Sequence, residues 1–179
     1  MKNKKERREA RKDKKDKRLR ERLGDLQGLV KTWGDLSLKT RCIETNSFAD
    51  VTFIWQKMIA VLNSFDKGVG LAANQIGAKY RIIAVDELKT RHPEIMINPK
   101  IIEFSEEKET FSEGCLSFPG CSLQIERPST IVVEYIGTNG GKVKETAKGL
   151  RARIIQHEID HLDGNCLVGE KYFSQMKGE

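Results

Sequence analysis

His157-Glu158-Ile159-Asp160-His161 is the stretch whose reading decides the fold. It lies in a segment, Leu150 to Leu162, in which Leu150, Ile154, Ile155, Ile159 and Leu162 recur at helical steps. Gly164 follows as a stop signal, so the spacing predicts a helix. Residues four apart lie one above the other on a helix. His157 and His161 therefore aim two imidazoles at one point, as two ligands of a tetrahedral metal site must. Glu158 directly follows the first of them, where a carboxylate can reach a water in an open metal position and move its proton. Taken singly, either histidine reads more readily as an ordinary core or surface side chain. The rest of the chain has to decide.

The chain has 179 residues, enough for one domain with a core of its own. Its net charge of +6 is concentrated at one end: residues 1–22 hold 13 Lys/Arg against 5 Asp/Glu. That segment is +8 and the remainder −2, so the basic character belongs to a tail and the folded body is near neutral. A low-complexity run of this kind buries too little apolar surface to offset its ordering entropy. It reads as a disordered or partly helical extension, either simply solvated or making a weak contact with a polyanion such as RNA. No apolar run is long enough to span a membrane, and the N-terminus has neither the apolar segment of a secretory signal nor the Ser-rich, acid-poor character of a transit peptide. A cytoplasmic location is expected, with the four cysteines as free thiols or metal ligands rather than disulfides.

Residues 23–46 are irregular, with Gly24, Gly28 and Gly34 and no sustained period. From Ser47 a helix is predicted, with Phe48, Val51, Trp55, Met58, Ile59, Leu62 and Phe65 on one face and Gly68 as its terminator. Residues 68–77, GVGLAANQIG, pack three glycines and two alanines into ten positions, which permits close backbone approach to a ligand or another segment. Short β-rich runs follow over 81–86, 95–98, 101–104, 122–125 and 130–136, and the turn signal Asn139-Gly140-Gly141 predicts a return strand over 142–147. Strands followed by a late helix give an α+β domain. Mainly antiparallel sheets pack around the motif helix, with one further helix near the N-terminus.

Cys115 sits between two strand candidates in Glu113-Gly114-Cys115-Leu116-Ser117. Added to His157 and His161 it gives three protein ligands and one open position, the pattern of a catalytic metal site. A purely structural site closed by Cys121 is the bland alternative, but it gives no reason for Glu158 beside the first histidine.

Three separated stretches, GVGLAANQIG (68–77), EGCLSFPG (113–120) and QHEIDHLDG (156–164), resemble in order and spacing those of the peptide deformylase family. The resemblance covers about residues 35–172 and makes residues 23–179 a catalytic domain. It implies a metal-dependent hydrolase that removes the formyl group from formyl-methionyl nascent peptides and releases formate. It places Cys115, His157 and His161 on the family's metal ligands and Glu158 on its catalytic glutamate. Gln75 and the backbone N–H of Leu116 fall where the family holds the oxyanion, and Gly70 falls where backbone meets substrate. Val69, Leu150 and Ile154 are expected to line a methionine pocket. Arg127 and Asp160 are expected to brace the site as a buried bidentate ion pair. One divalent ion per chain is implied, iron(II) first, with zinc, nickel or cobalt also accepted by this donor set. The expected partner is the formyl-methionyl peptide; the charge of residues 1–22, apart from the resemblance, leaves open a weak contact with ribosomal RNA or a merely solvated tail, and a monomer with no membrane contact is expected. Asn74 departs from the family, which usually has proline there.

Two rivals differ in what they require. A zincin-like endopeptidase shares the two histidines and the glutamate but takes a third ligand downstream, where no histidine remains. An RNA-associated protein on an inactive enzyme scaffold would have a broken ligand set, and this one is complete.

Overall fold

The computed structural model describes residues 25–165, so the basic segment 1–22 lies outside the described residues. The elements run α1 (Phe48–Leu62), β1 (Gly70–Ala72), β2 (Ile82–Val85), β3 (Glu94–Phe104), β4 (Lys108–Cys115), β5 (Phe118–Pro128), β6 (Thr130–Ile136), β7 (Lys142–Lys148) and α2 (Gly149–Leu162). Short 3-10 turns occupy Gln27–Leu29, Leu36–Lys39 and Ala73–Ile76. Five strands form one antiparallel sheet in the order β1-β2-β3-β6-β7, and β4 with β5 forms a separate two-stranded ribbon.

Helix α1 starts where Ser47 Oγ accepts from the backbone N–H of Asp50 at 3.4 Å, satisfying one of the orphan donors of its first turn. It ends at Leu62, a turn and a half before Gly68; Phe65, expected on its apolar face, packs from the following loop. The five-stranded sheet lies between the two helices. Val51, Met58, Val61 and Leu62 of α1 pack with Leu71, Ile82, Ala84 and Ile95 on one face. Ala152, Ile154, Ile155, Ile159 and Leu162 of α2 pack with Ile83, Val85, Met96 and Val133 on the other. Strand β2 is therefore buried on both sides, which explains why its sequence is an unbroken apolar run, Ile82-Ile83-Ala84-Val85, with no polar alternation.

Two strand expectations needed revision, and strand β4 was not expected. The runs 95–98 and 101–104 are one strand, β3, because Pro99 is absorbed at a register shift where Asn98 takes a positive φ of 51°. Strand β4 carries Lys, Glu, Thr and Ser on both faces, so it has no apolar alternation to detect; pairing with β5 along its length holds it. Strand β5 is correspondingly longer than the predicted 122–125.

The irregular N-terminal stretch is a strap over the site. Lys31 N–H donates to Gln75 O at 2.7 Å, Trp33 N–H to Ser117 O at 3.0 Å and Cys42 N–H to Leu162 O at 2.7 Å. It thus ties the glycine-rich segment, the loop after Cys115 and the end of α2 to one another. Among the described residues, no helix is long and apolar enough to cross a membrane.

Candidate metal centre and cleft

Helix α2 is buried almost all round. Two of its inward-pointing polar side chains are tied to backbone carbonyls: Gln156 Nε2 donates to Pro128 O at 3.0 Å, and Arg153 donates to Ile125 O at 2.8 Å and Glu109 O at 2.6 Å. His157 and His161 lie one turn apart on it, their ring centroids 5.1 Å from each other. Cys115, at the end of β4, presents its Sγ 3.2 Å from His161 Nε2. The ligand atoms of Cys115, His157 and His161 all lie within 4.8 Å of one another. Cys121 is not part of this group, and Cys42 and Cys121 are free thiols.

The electrostatics separate the two imidazoles. Burial, reinforced by the charges of His157 and Arg127, holds His161 well below the ordinary histidine range, so it is a neutral donor. Burial acts the same way on His157, but the bond to Glu113 and the negative charges of Glu158 and Glu113 outweigh it and leave its pKa raised. Burial pushes Glu113 up in turn; hydrogen bonds from His157 and Arg127 overcome it and bring the carboxyl down to about 2.

Glu113 is the residue that motif reading missed. Its Oε2 lies 2.9 Å from His157 Nδ1, which turns the other ring nitrogen of His157 toward the ligand group. The same carboxylate takes both Arg127 Nε, at 2.6 Å, and Arg127 Nη2, at 3.0 Å, and Arg153 Nη1 at 2.7 Å. Arg127 does reach Asp160, with Nη1 2.8 Å from Oδ2, but by one bond. Its two-pronged partner is Glu113, which corrects the expected bidentate Arg127–Asp160 pair. The signal was present: Glu113 and Cys115 are two apart on a strand and so share a face.

A cleft of about 460 Å³ opens over this cluster. Val69, Gly70, Gln75, Leu116, Leu150, Ile154 and Glu158 all line it with Cys115 and His157, whereas Arg127 and Asp160 face a separate depression behind α2. Ile154 is buried, and Leu150 stands exposed at the rim. Gln75, on the Ala73–Ile76 turn, is 1% exposed; its Oε1 accepts from Ala72 N–H at 2.7 Å and its Nε2 donates to Ser117 Oγ at 3.1 Å. That leaves the amide nitrogen directed into the cleft wall, 3.8 Å from Cys115 Sγ. Gly70 is needed for space: a Cβ there would overlap Glu158 Oε1 and stand 2.8 Å from Ile154 Cγ2.

The comparisons with known proteins give the family. The sequence model of the family described as polypeptide deformylase matches residues 29–174. The peptide deformylase of Dictyoglomus thermophilum is 39% identical over 151 residues, which are 84% of this chain and 96% of the relative. That of Prochlorococcus marinus strain NATL1A is 41% identical over 138 residues, 75% of this chain and 68% of the relative. The crystal structure of peptide deformylase from Thermotoga maritima superimposes with a TM-score of 0.73 at 38% identity, covering 78% of this chain and 94% of that one. A match across most of the sequence, accompanied by the same overall fold, leaves one assignment: the chain belongs to the peptide deformylase family, the enzymes that remove the N-terminal formyl group from nascent peptides.

Proposed function

We propose that Cys115, His157 and His161 hold the divalent metal on which this family of hydrolases depends, and that Glu158 moves the protons of the reaction. The observation that carries this reading is the convergence of one thiol and two imidazoles, from segments more than forty residues apart in sequence, beneath a cleft that Gln75 and Glu158 also line. The donor set suits the ion: one soft sulfur and two nitrogens give three ligands and leave a position open. When bound, a divalent ion supplies Lewis acidity that lowers the pKa of water toward about 7 and polarises the formyl oxygen.

The chain's own residues do the rest. Glu158, buried against Gly70, accepts a proton from the attacking water and delivers it to the methionine nitrogen as the C–N bond breaks. The products are formate and a free α-amine. Gln75 Nε2 and the Leu116 N–H donate to the formyl oxygen as charge builds there; losing one such donor costs about 10²–10³ in rate. Gly70 brings backbone within reach of the peptide, and Val69, Leu150 and Ile154 form the methionine pocket. Arg127 and Asp160 brace α2 from behind. Iron(II) is the ion proposed in vivo, with zinc, nickel and cobalt as substitutes. The enzyme is proposed to act as a cytoplasmic monomer, with residues 1–22 as a separate basic segment that attaches weakly to ribosomal RNA.

Protein purified anaerobically with iron(II) should release formate from formyl-Met peptides, much less from formyl-Ala peptides, and no product from acetyl-Met peptides. Glu158→Gln should keep the metal and lose about 10²–10⁴ in kcat. Near-full turnover by that variant would remove Glu158 from its role.

A further inference from the structure

Asn74 has no part in the chemistry above, yet it is a buried polar residue in the second layer of the site. It precedes Gln75 on the Ala73–Ile76 turn. Its side-chain Nδ2 donates to the backbone carbonyl of His161, an acceptor that also takes Gly164 N–H at 3.0 Å. The opposite end of the amide, Oδ1, is buried with no hydrogen-bond partner among the described residues, and so is His161 Nδ1. A buried donor or acceptor left unpaired costs about 1–3 kcal/mol, and folded proteins pair nearly all of them. Here one spare acceptor and one spare ring nitrogen belong to two residues already bonded to each other.

The ring chemistry says what would join them. His161 Nε2 is the nitrogen that faces Cys115 Sγ. When Nε2 gives its lone pair to an ion, the single proton of the neutral ring sits on Nδ1 and needs an acceptor. We propose that Asn74 is a positioning residue for His161: its amide nitrogen holds the His161 carbonyl, and its amide oxygen takes the Nδ1 proton once Nε2 ligates a divalent ion. One side chain then fixes both the backbone and the ring plane of the ligand. Because Gln75 is the next residue, the same contact sets the spacing between the ligand helix and the amide proposed to meet the formyl oxygen. This inference rests on His161 as a ligand, and the test separates the two.

The full-length protein is loaded with zinc and challenged with a competing chelator, and with cobalt(II) for absorption spectroscopy. Asn74→Ala should weaken zinc affinity about 10–100-fold and shift the cobalt bands, with KM for a formyl-Met peptide unchanged. Wild-type zinc affinity together with an unshifted cobalt spectrum would overturn the proposal. His161→Ala serves as the control: a cobalt spectrum unchanged in that variant would overturn the ligand assignment, and the Asn74 proposal with it. Should Asn74→Ala fail to fold, proton NMR of the zinc-loaded wild-type protein decides. A His161 Nδ1 proton protected from exchange, with a nuclear Overhauser contact to Asn74, is expected; its absence refutes the pairing.

Discussion

Exchanging Glu113 for glutamine alters the shape of the side chain hardly at all and tests the whole support of the ligand helix. The carboxylate receives four nitrogens: Arg127 Nε and Arg153 Nη1 on one oxygen, Arg127 Nη2 and His157 Nδ1 on the other. A carboxamide offers one oxygen and one NH2 group, so whichever way it turns, at least one arginine N–H meets another donor. Both arginines are buried, so water cannot easily replace what is lost. They are not stripped bare: Arg127 keeps Asp160, and Arg153 keeps the carbonyls of Ile125 and Glu109. Breaking one side of a buried charged pair costs about 3–5 kcal/mol. At a melting shift of about 2–4 °C per kcal/mol for a chain of this size, Tm should fall by roughly 6–20 °C. The assay is urea and thermal unfolding of the metal-free protein, so that lost metal does not enter the comparison. The pH dependence gives a second check. Glu113 has a folded pKa of about 2, below its ordinary 4.5. A depressed carboxyl pKa stabilises the fold above the unfolded value, and that stability is lost as pH falls through the folded one. The gap between wild type and Glu113→Gln should therefore be full at neutral pH and close between about 4.5 and 2. A gap under about 1 kcal/mol at neutral pH, or one that stays constant through that window, would refute the reasoning.

Gly70→Ala places a methyl against Glu158 Oε1 and Ile154 Cγ2. Overpacking of about 1–3 kcal/mol should push the Glu158 carboxylate from its place and lower kcat/KM by on the order of tenfold or more, while circular dichroism stays unchanged. Zinc affinity should fall more steeply with pH once the solution drops below the raised pKa of His157, by about a further tenfold per unit for its displaced proton on top of the one from Cys115; chelator competition across a pH series measures it, and a profile with no such steepening would exclude His157 as a ligand. Deleting residues 1–22 should leave turnover of short peptides unchanged and reduce co-sedimentation with ribosomes at low salt, where added salt has the same effect on the full-length protein. Equal co-sedimentation of both forms across a salt series would reduce the tail to a spacer.

Periodic and short-range features were readable from the residues themselves. An i,i+4 histidine pair on an amphipathic segment fixes a helix and the common face of its two rings, because 3.6 residues per turn allows nothing else. The same holds for α1 over most of its length, for β6 and β7 around Asn139-Gly140-Gly141, and for the α+β class. Composition alone separated the basic tail from a near-neutral body.

What required the tertiary structure were pairings between segments distant in sequence, and above all those made by charge. The ribbon strand β4 has no apolar rhythm, since its stability comes from its partner strand rather than from a buried face. Glu113 reads as one more exposed acid until the fold surrounds it with Arg127 from β5 and with Arg153 and His157 from α2. Asn74 reads as a loop substitution until α2 sets the His161 carbonyl against its amide. A hydrogen bond depends on ångström distances and on angles, and spacing along the chain carries neither once two segments are joined only through the core. The sequence was enough to nominate Cys115, His157 and His161 as a candidate ligand group. Which side chains hold that group still was decided by packing.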